Sequence, residues 1–228
     1  MGRAARAAVR SKRQLGPVRL IIVTVFSLVA VIAAGWTVHA SLAQQDQPTD
    51  MRGNPVVFPA PSPEMLARID AVPSEGGMRL NVPAAALDVP VGAINQVDGV
   101  MDPPGFASAY LVRNYGANLA HATVGTVFVV MHSCRGGAVC PGNYLIDIAA
   151  GTAAVPQGAD VYLGDLHYRV TGWQKVDKPQ VGATAEIWEN VPGRLVLLTC
   201  LQNRTQTAST QNMIITAQLV GGDEPGSA

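Results

Sequence analysis

Two residues in this chain have the chemistry of an acyl-transfer pair. Cys200 closes the run Arg194-Leu195-Val196-Leu197-Leu198-Thr199-Cys200, and His132 closes Gly125-Thr126-Val127-Phe128-Val129-Val130-Met131-His132. Both runs are apolar, rich in valine and leucine, and read as buried strands. A thiol and an imidazole therefore each emerge where a rigid element gives way to a loop. A free thiol, with a pKa of about 8.5, is largely protonated at neutral pH, so a cysteine nucleophile needs a basic or cationic neighbour. His132 is the natural candidate. The other histidines, His39, His121 and His167, read as interfacial, loop and strand residues. The three cysteines and four histidines show no paired zinc-type spacing, so neither a metal nor a cofactor is expected.

The elements that would hold this pair follow from short apolar runs: Met78–Val82, Leu87–Val91, Thr126–Met131, Tyr144–Ile148, Asp160–Leu163, Leu166–Thr171, Arg194–Thr199 and Met213–Val220. Glycine, proline or aspartate separates most of them, and Leu163-Gly164-Asp165-Leu166 has the form of a hairpin turn. Short strands at such spacing predict an all-β barrel or sandwich. Helix is expected to be scarce, with one segment around Phe106–Tyr110 and a single turn at Glu64–Ile69.

Ahead of this domain, Leu20–Val38 is uncharged over nineteen residues and follows six basic residues (Arg3, Arg6, Arg10, Lys12, Arg13, Arg19). At 1.5 Å per residue such a helix is about as long as a ~30 Å hydrocarbon core is thick, and the positive-inside bias puts the N-terminus in the cytoplasm. An uncleaved anchor is the favoured reading; a signal peptide cleaved after Ser41-Leu42-Ala43 is the rival. Either way the domain is exported. The division is then 1–19 basic cytoplasmic N-terminus, 20–38 transmembrane signal-anchor, 39–75 proline-rich extracellular spacer, 76–221 catalytic domain and 222–228 flexible C-terminus. From Gln44 onward ten basic residues face sixteen acidic ones, which argues against a nucleic-acid partner.

Export also bears on the cysteines, because disulfides persist outside the cell. Cys134 and Cys140 bracket the loop CRGGAVC and can close a small ring behind His132, which leaves Cys200 as the odd thiol. A Cys134 to Cys200 bond is the alternative.

The order Leu80-Asn81-Val82-Pro83, His132 after a valine-rich strand, Gly164-Asp165 with Tyr168-Arg169-Val170, and Leu198-Thr199-Cys200 before a final strand resembles the sortases, and most of all their actinobacterial class E and F branches. The resemblance spans most of Met78–Val220. It implies a closed eight-stranded barrel with one or two short helices behind an N-terminal transmembrane helix. It also implies a membrane-anchored cysteine transpeptidase that acts on secreted proteins carrying a C-terminal LPxTG-type sorting signal. Cys200 would form the thioester, His132 would protonate the leaving amine, and a peptidoglycan-precursor or protein amine would release the product. A thiol hydrolase of the same fold and a catalytically weakened binding module stay open as alternatives. The chain departs from the family at one point. Sortases carry an arginine near the start of the last strand, where this sequence has Thr210, Gln211, Asn212 and Met213. Arg204, four residues after Cys200, is the nearest basic substitute for its oxyanion role, and Asn212 is a neutral one.

Overall fold

The computed structural model describes residues 48–56, 58, 62–72 and 77–221, all within the second of two units, Pro48–Ala228. The expected signal-anchor at 20–38, the basic N-terminus and the C-terminus from 222 lie outside the described residues. Among the described residues no helix is long and apolar enough to cross a membrane.

Among the described residues ten strands form: β1 (Arg79–Val82), β2 (Leu87–Ile94), β3 (Ala109–Val112), β4 (Val127–Val130), β5 (Ile146–Asp147), β6 (Thr152–Ala153), β7 (Asp160–Leu163), β8 (Leu166–Asp177), β9 (Arg194–Leu201) and β10 (Gln211–Leu219). Eight of them close a barrel in the order β1-β2-β3-β4-β9-β10-β8-β7, and β5 and β6 make a separate two-stranded piece. Neighbours are antiparallel except β2 with β3 and β4 with β9, which run parallel. The expected all-β, eight-stranded closed barrel is what forms.

The runs around Cys200 and His132 lack polar alternation because both of their faces are covered. In β9, Leu195 and Leu197 point into the barrel core, while Val196 and Leu198 join a second cluster outside it. In β4, Val127 and Val129 face inward, and Phe128 and Val130 face the outer cluster. The outer cluster is roofed by Ile69, Val181 and Ile187 from the connecting segments, which include the short helices α1 (Pro63–Ile69), α2 (Lys178–Val181) and α3 (Ala185–Trp188).

Two expected elements take another form. The segment expected as helix around Phe106–Tyr110 instead leads into β3, whose four residues are all buried between β2 and β4. A short, wholly buried apolar run carries no period that separates helix from strand. The run Tyr144–Ile148 is only partly extended, because a 3₁₀ turn occupies Pro141–Leu145. Pro141 starts that turn, and the Asn143 Oδ1 accepts from the amides of Cys134 and Cys140. The Leu163–Leu166 hairpin forms as expected, with Gly164 at φ +57° supplying the left-handed residue the turn requires.

The stretch 39–75, expected as spacer, is packed in part. Val56 and Ile69 are buried, and Val72 bridges to Ala93. The turn expected at Glu64–Ile69 is α1, started by Pro63 and capped by Ser62 Oγ, which accepts from Met65 N at 3.1 Å. Asp50 is buried and accepts from the amides of Arg52, Asn54 and Val139 and from Asn54 Nδ2. Burial works against its ionisation, but these hydrogen bonds outweigh it and bring the carboxyl down to about 2.

Candidate active site

Strand register brings the sequence candidates together. In the parallel pair, Val127 to Val130 of β4 face Leu195 to Leu198 of β9 one for one, and Met131 N donates to Leu198 O at 3.1 Å. His132 and Cys200 each lie two residues beyond the last pair of this register, and both line one cavity. In the antiparallel pair β9–β10, Cys200 is directly opposite Asn212, which in turn is opposite Val176 of β8. Side chains two apart on a strand share a face. His132 therefore follows Phe128 and Val130, Cys200 follows Val196 and Leu198, and Asn212 precedes Ile214, all on the outer-cluster side.

These side chains line one cavity of about 460 Å³, with Met101, Asp102, Pro103, Lys178, Val181, Trp188 and Leu198 among its walls. Cys200 is half-buried and is the free thiol, because Cys134 and Cys140 form a disulfide with Cα atoms 5.3 Å apart. The alternative Cys134 to Cys200 link is thus not the one present. The ring closed by the Cys134–Cys140 disulfide is tied by Asn143, three residues beyond it, whose Nδ2 donates to Cys134 O at 2.9 Å.

The imidazole of His132 is fixed on two sides. Its Nε2 lies 2.7 Å from the carbonyl oxygen of Pro103. A carbonyl only accepts, so Nε2 carries the hydrogen and Nδ1 holds the free lone pair of the neutral ring. One ring face stacks on Phe106 with centroids 4.5 Å apart, and Phe106 stacks on Phe58 at 5.6 Å. Burial is the main influence on the imidazole and pushes its pKa below the ordinary value of 6.5. The Pro103 carbonyl and the Asp102 carboxylate pull it back up, and the Lys178 ammonium pushes it further down.

Behind the pair, the backbone is clasped by buried polar groups. Ser133 Oγ donates to the Cys200 carbonyl, and Gln202 Nε2 donates to Ser133 O at 2.7 Å and to Ser133 Oγ at 3.0 Å. Gly142 N donates to His132 O at 2.8 Å. A Cβ on Gly142 would stand 2.0 Å from Thr199 Oγ1 and 2.9 Å from His132 O, so this crossing of chains requires glycine. The residues that follow the thiol and the imidazole are thus bonded to each other.

Asn212 Oδ1 is one of four buried side-chain atoms without a hydrogen-bond partner among the described residues, with Tyr168 Oη, Thr199 Oγ1 and Gln202 Oε1, and of these residues only Asn212 lines the cavity that holds Cys200. Buried polar atoms are nearly always paired, so an amide left open beside a free thiol is an exception that points into the site.

Arg204 goes elsewhere. It is exposed in the β9–β10 connection and lines a separate depression of about 320 Å³ with Ile148, Lys175, Gln202, Asn203 and Gln211. Neither Cys200 nor His132 lines that depression. His167 pairs with Asp160 at 2.8 Å on the barrel exterior, His121 packs on Asn118 Oδ1, and His39 lies outside the described residues. Among the described residues no group of three His, Cys, Asp or Glu side chains gathers. Sequence reasoning passed over Lys178 and Asp102, and it read Trp188 as a packing residue ahead of a groove-lining one, whereas Trp188 lines the cavity. Lys178 left one trace, its position just beyond the polar-ended strand Leu166–Asp177.

The chain is similar in structure to sortases. Sortase A of Listeria monocytogenes aligns with a TM-score of 0.45 at 18% identity, over 63% of this chain and 86% of that one. The Pilus Island 1 sortase C2 of Group B Streptococcus gives 0.42 at 15% identity, over 63% and 73%. Sortase C-1 of Actinomyces oris gives 0.42 at 14%, over 63% and 72%. A scan of protein-family models and a search of curated proteins give no match. At such identities and TM-scores the likeness carries no functional weight, and the chemistry stands on the barrel register and the cavity it forms.

Proposed function

We propose that this chain is a sortase-like cysteine transpeptidase, anchored by its N-terminal segment, that cleaves an LPxTG-type sorting motif in secreted proteins and transfers the acyl group to a cell-wall amine. The observation that supports this reading is the single cavity that His132, Cys200 and Asn212 line together at the ends of β4, β9 and β10.

Burial favours the neutral form of the imidazole, so His132 can act as a base. His132 Nδ1 takes the thiol proton as the Cys200 sulfur attacks the scissile carbonyl carbon, and negative charge gathers on the carbonyl oxygen. The carbonyl re-forms, the C–N bond breaks, and the imidazolium gives its proton to the leaving amine nitrogen. A thioester remains on Cys200. An acceptor amine then attacks it, His132 removes that amine's proton, and the thiolate departs and is reprotonated. The Pro103 carbonyl holds the ring in the correct tautomer for both transfers. Of the two substitutes for the missing arginine, Asn212 is favoured over Arg204. It stands opposite Cys200 and lines the same cavity, so its amide can donate to the oxygen that develops charge.

The test is to incubate the full-length chain with LPxTG- and LAxTG-type peptides, with and without an amine acceptor, and to look by mass spectrometry for an acyl adduct on Cys200. An adduct that is transferred to the amine is the expected result. Release to water alone in the presence of the amine identifies the hydrolase alternative. No adduct from any motif, together with no labelling by a thiol-reactive substrate mimic, refutes the enzyme.

A further inference from the structure

The four strands β4, β9, β10 and β8 are neighbours in that order, and each presents a polar side chain to the same cavity at or just beyond its end. Three of these are His132, Cys200 and Asn212. The fourth is Lys178, two residues beyond Val176, which faces the outer cluster opposite Asn212. The ladder continues as far as Lys178, whose amide donates to Thr210 O at 2.9 Å.

We propose that Lys178 is the charged donor of this site, its ammonium meeting the carbonyl oxygen of the acyl group as that oxygen becomes negative. The assignment rests on the transpeptidase reading above. Acyl transfer from a peptide bond builds a full negative charge on one oxygen, and preorganised donors aimed at it typically contribute the largest part of catalysis. A neutral amide such as Asn212 offers a dipole only. Of the residues that line the cavity, Lys178 is the sole permanent cation and Asp102 the sole carboxylate. Among the described residues Lys178 makes no ion pair, so its charge is not spent on a neighbour. His132 becomes cationic only by taking the thiol proton, and it gives that proton up to the leaving amine, whereas the Lys178 charge stays in place throughout. The ammonium sits on a flexible four-carbon stem with three donors, so it can follow the oxygen from trigonal to tetrahedral geometry while its own proton stays in place.

Two measurements on the full-length chain test this. The chain has three cysteines, of which two form the disulfide, so Cys200 is the one thiol available to alkylating agents. The first measurement is the ratio of Cys200 alkylation rates by iodoacetate and iodoacetamide, an anion and its neutral analogue. Lys178→Met should lower the ratio at least about threefold at low salt, Lys178→Arg should keep it, and 1 M salt should shrink the parent's preference because the cation is exposed. Asp102→Asn should move the ratio the other way. The second is acylation by the sorting peptide that the parent accepts. Lys178→Met should lower kcat at least about tenfold with KM within about twofold, and Lys178→Arg should recover most of it. Circular dichroism checks that each variant keeps its fold.

An unchanged ratio and an unchanged kcat return Lys178 to the solvent and overturn the proposal. A ratio that moves while kcat stays also overturns it, because the charge then faces the thiol without serving the oxygen. A parent that forms no acyl adduct, yet whose ratio still depends on Lys178, sinks the transpeptidase reading and the acyl-oxygen role with it, while confirming that the charge is there.

Discussion

Two depressions flank the end of the β9–β10 hairpin, and both contain a lysine of the β8 end. One holds Cys200, His132, Asn212 and Lys178; the other holds Arg204, Lys175 and Gln211. They differ in the chemistry they hold. In the second, Gln211 Nε2 is occupied by Asp177 Oδ1 at 2.8 Å and Gln202 Nε2 by Ser133, and the groups left open are Gln202 Oε1 and the cations Arg204 and Lys175, none of them a nucleophile or a base. In the first, a thiol and an imidazole stand with the open amide of Asn212 and the ammonium of Lys178. Distance along the chain therefore says little about membership. Arg204 is four residues from the thiol and outside its cavity, whereas Lys178 is far away in sequence and inside it.

Breaking the first depression should cost the most. Cys200→Ala should abolish acyl-adduct formation, and His132→Ala should lower turnover by about 10²–10⁴-fold, both with native circular dichroism. Unfolding of either variant would mean that these strand ends hold the barrel together and would weaken the contrast. Asn212→Ala should lower kcat by about ten- to a hundredfold with little change in KM, as loss of an oxyanion donor does. Arg204→Ala, on the other side of the hairpin, should stay within about twofold of the parent in steady-state assays. If Arg204→Ala loses more than Asn212→Ala, the two depressions have been given the wrong roles.

The smallest effect is on acid stability. The folded-state pKa of His132 lies below its unfolded value of 6.5, so at pH values between the two the unfolded chain binds a proton that the folded chain does not. The contribution is complete above about 6.5 and is lost as pH falls towards the folded value. His132→Gln should therefore flatten the pH dependence of Tm in that window. Asp102→Asn should deepen it, because the carboxylate holds the imidazole pKa up.

Much of the barrel was legible because the runs that become β4, β9 and β10 are rich in valine, isoleucine, leucine and threonine, residues that favour strand over helix. Cys200 and His132 were legible for the same reason: each is the first reactive residue after such a run. What a single strand cannot reveal is its partner's register. Nothing in the residues around Asn212 or Lys178 announces that β10 sets one opposite the thiol, or that β8 brings the other alongside. The run Ala109–Val112 was too short and too uniformly buried to carry a period, which is why the overlapping segment Phe106–Tyr110 read as helix. Asp50 and Val56 were hidden in a proline-rich stretch whose composition suggests a linker. Their anchoring contacts, such as that of Asp50 with Val139, are long-range and leave no local pattern.

Trp188 gives the cavity an optical consequence. Its indole Nε1 donates to Val181 O at 2.7 Å, its ring stacks on Phe128, and it forms part of the wall around Cys200 as well as of two adjoining hollows. The indole thus has its nitrogen tethered while the residue lines the cavity that holds Cys200. Filling of that cavity should remove water from the ring and shift its emission to the blue. Trp173, the other tryptophan of the barrel, is 41% exposed and lines none of these hollows, so it contributes a steady, water-like background. The protein carries its own fluorophore for occupancy of the site, usable before any turnover is detected.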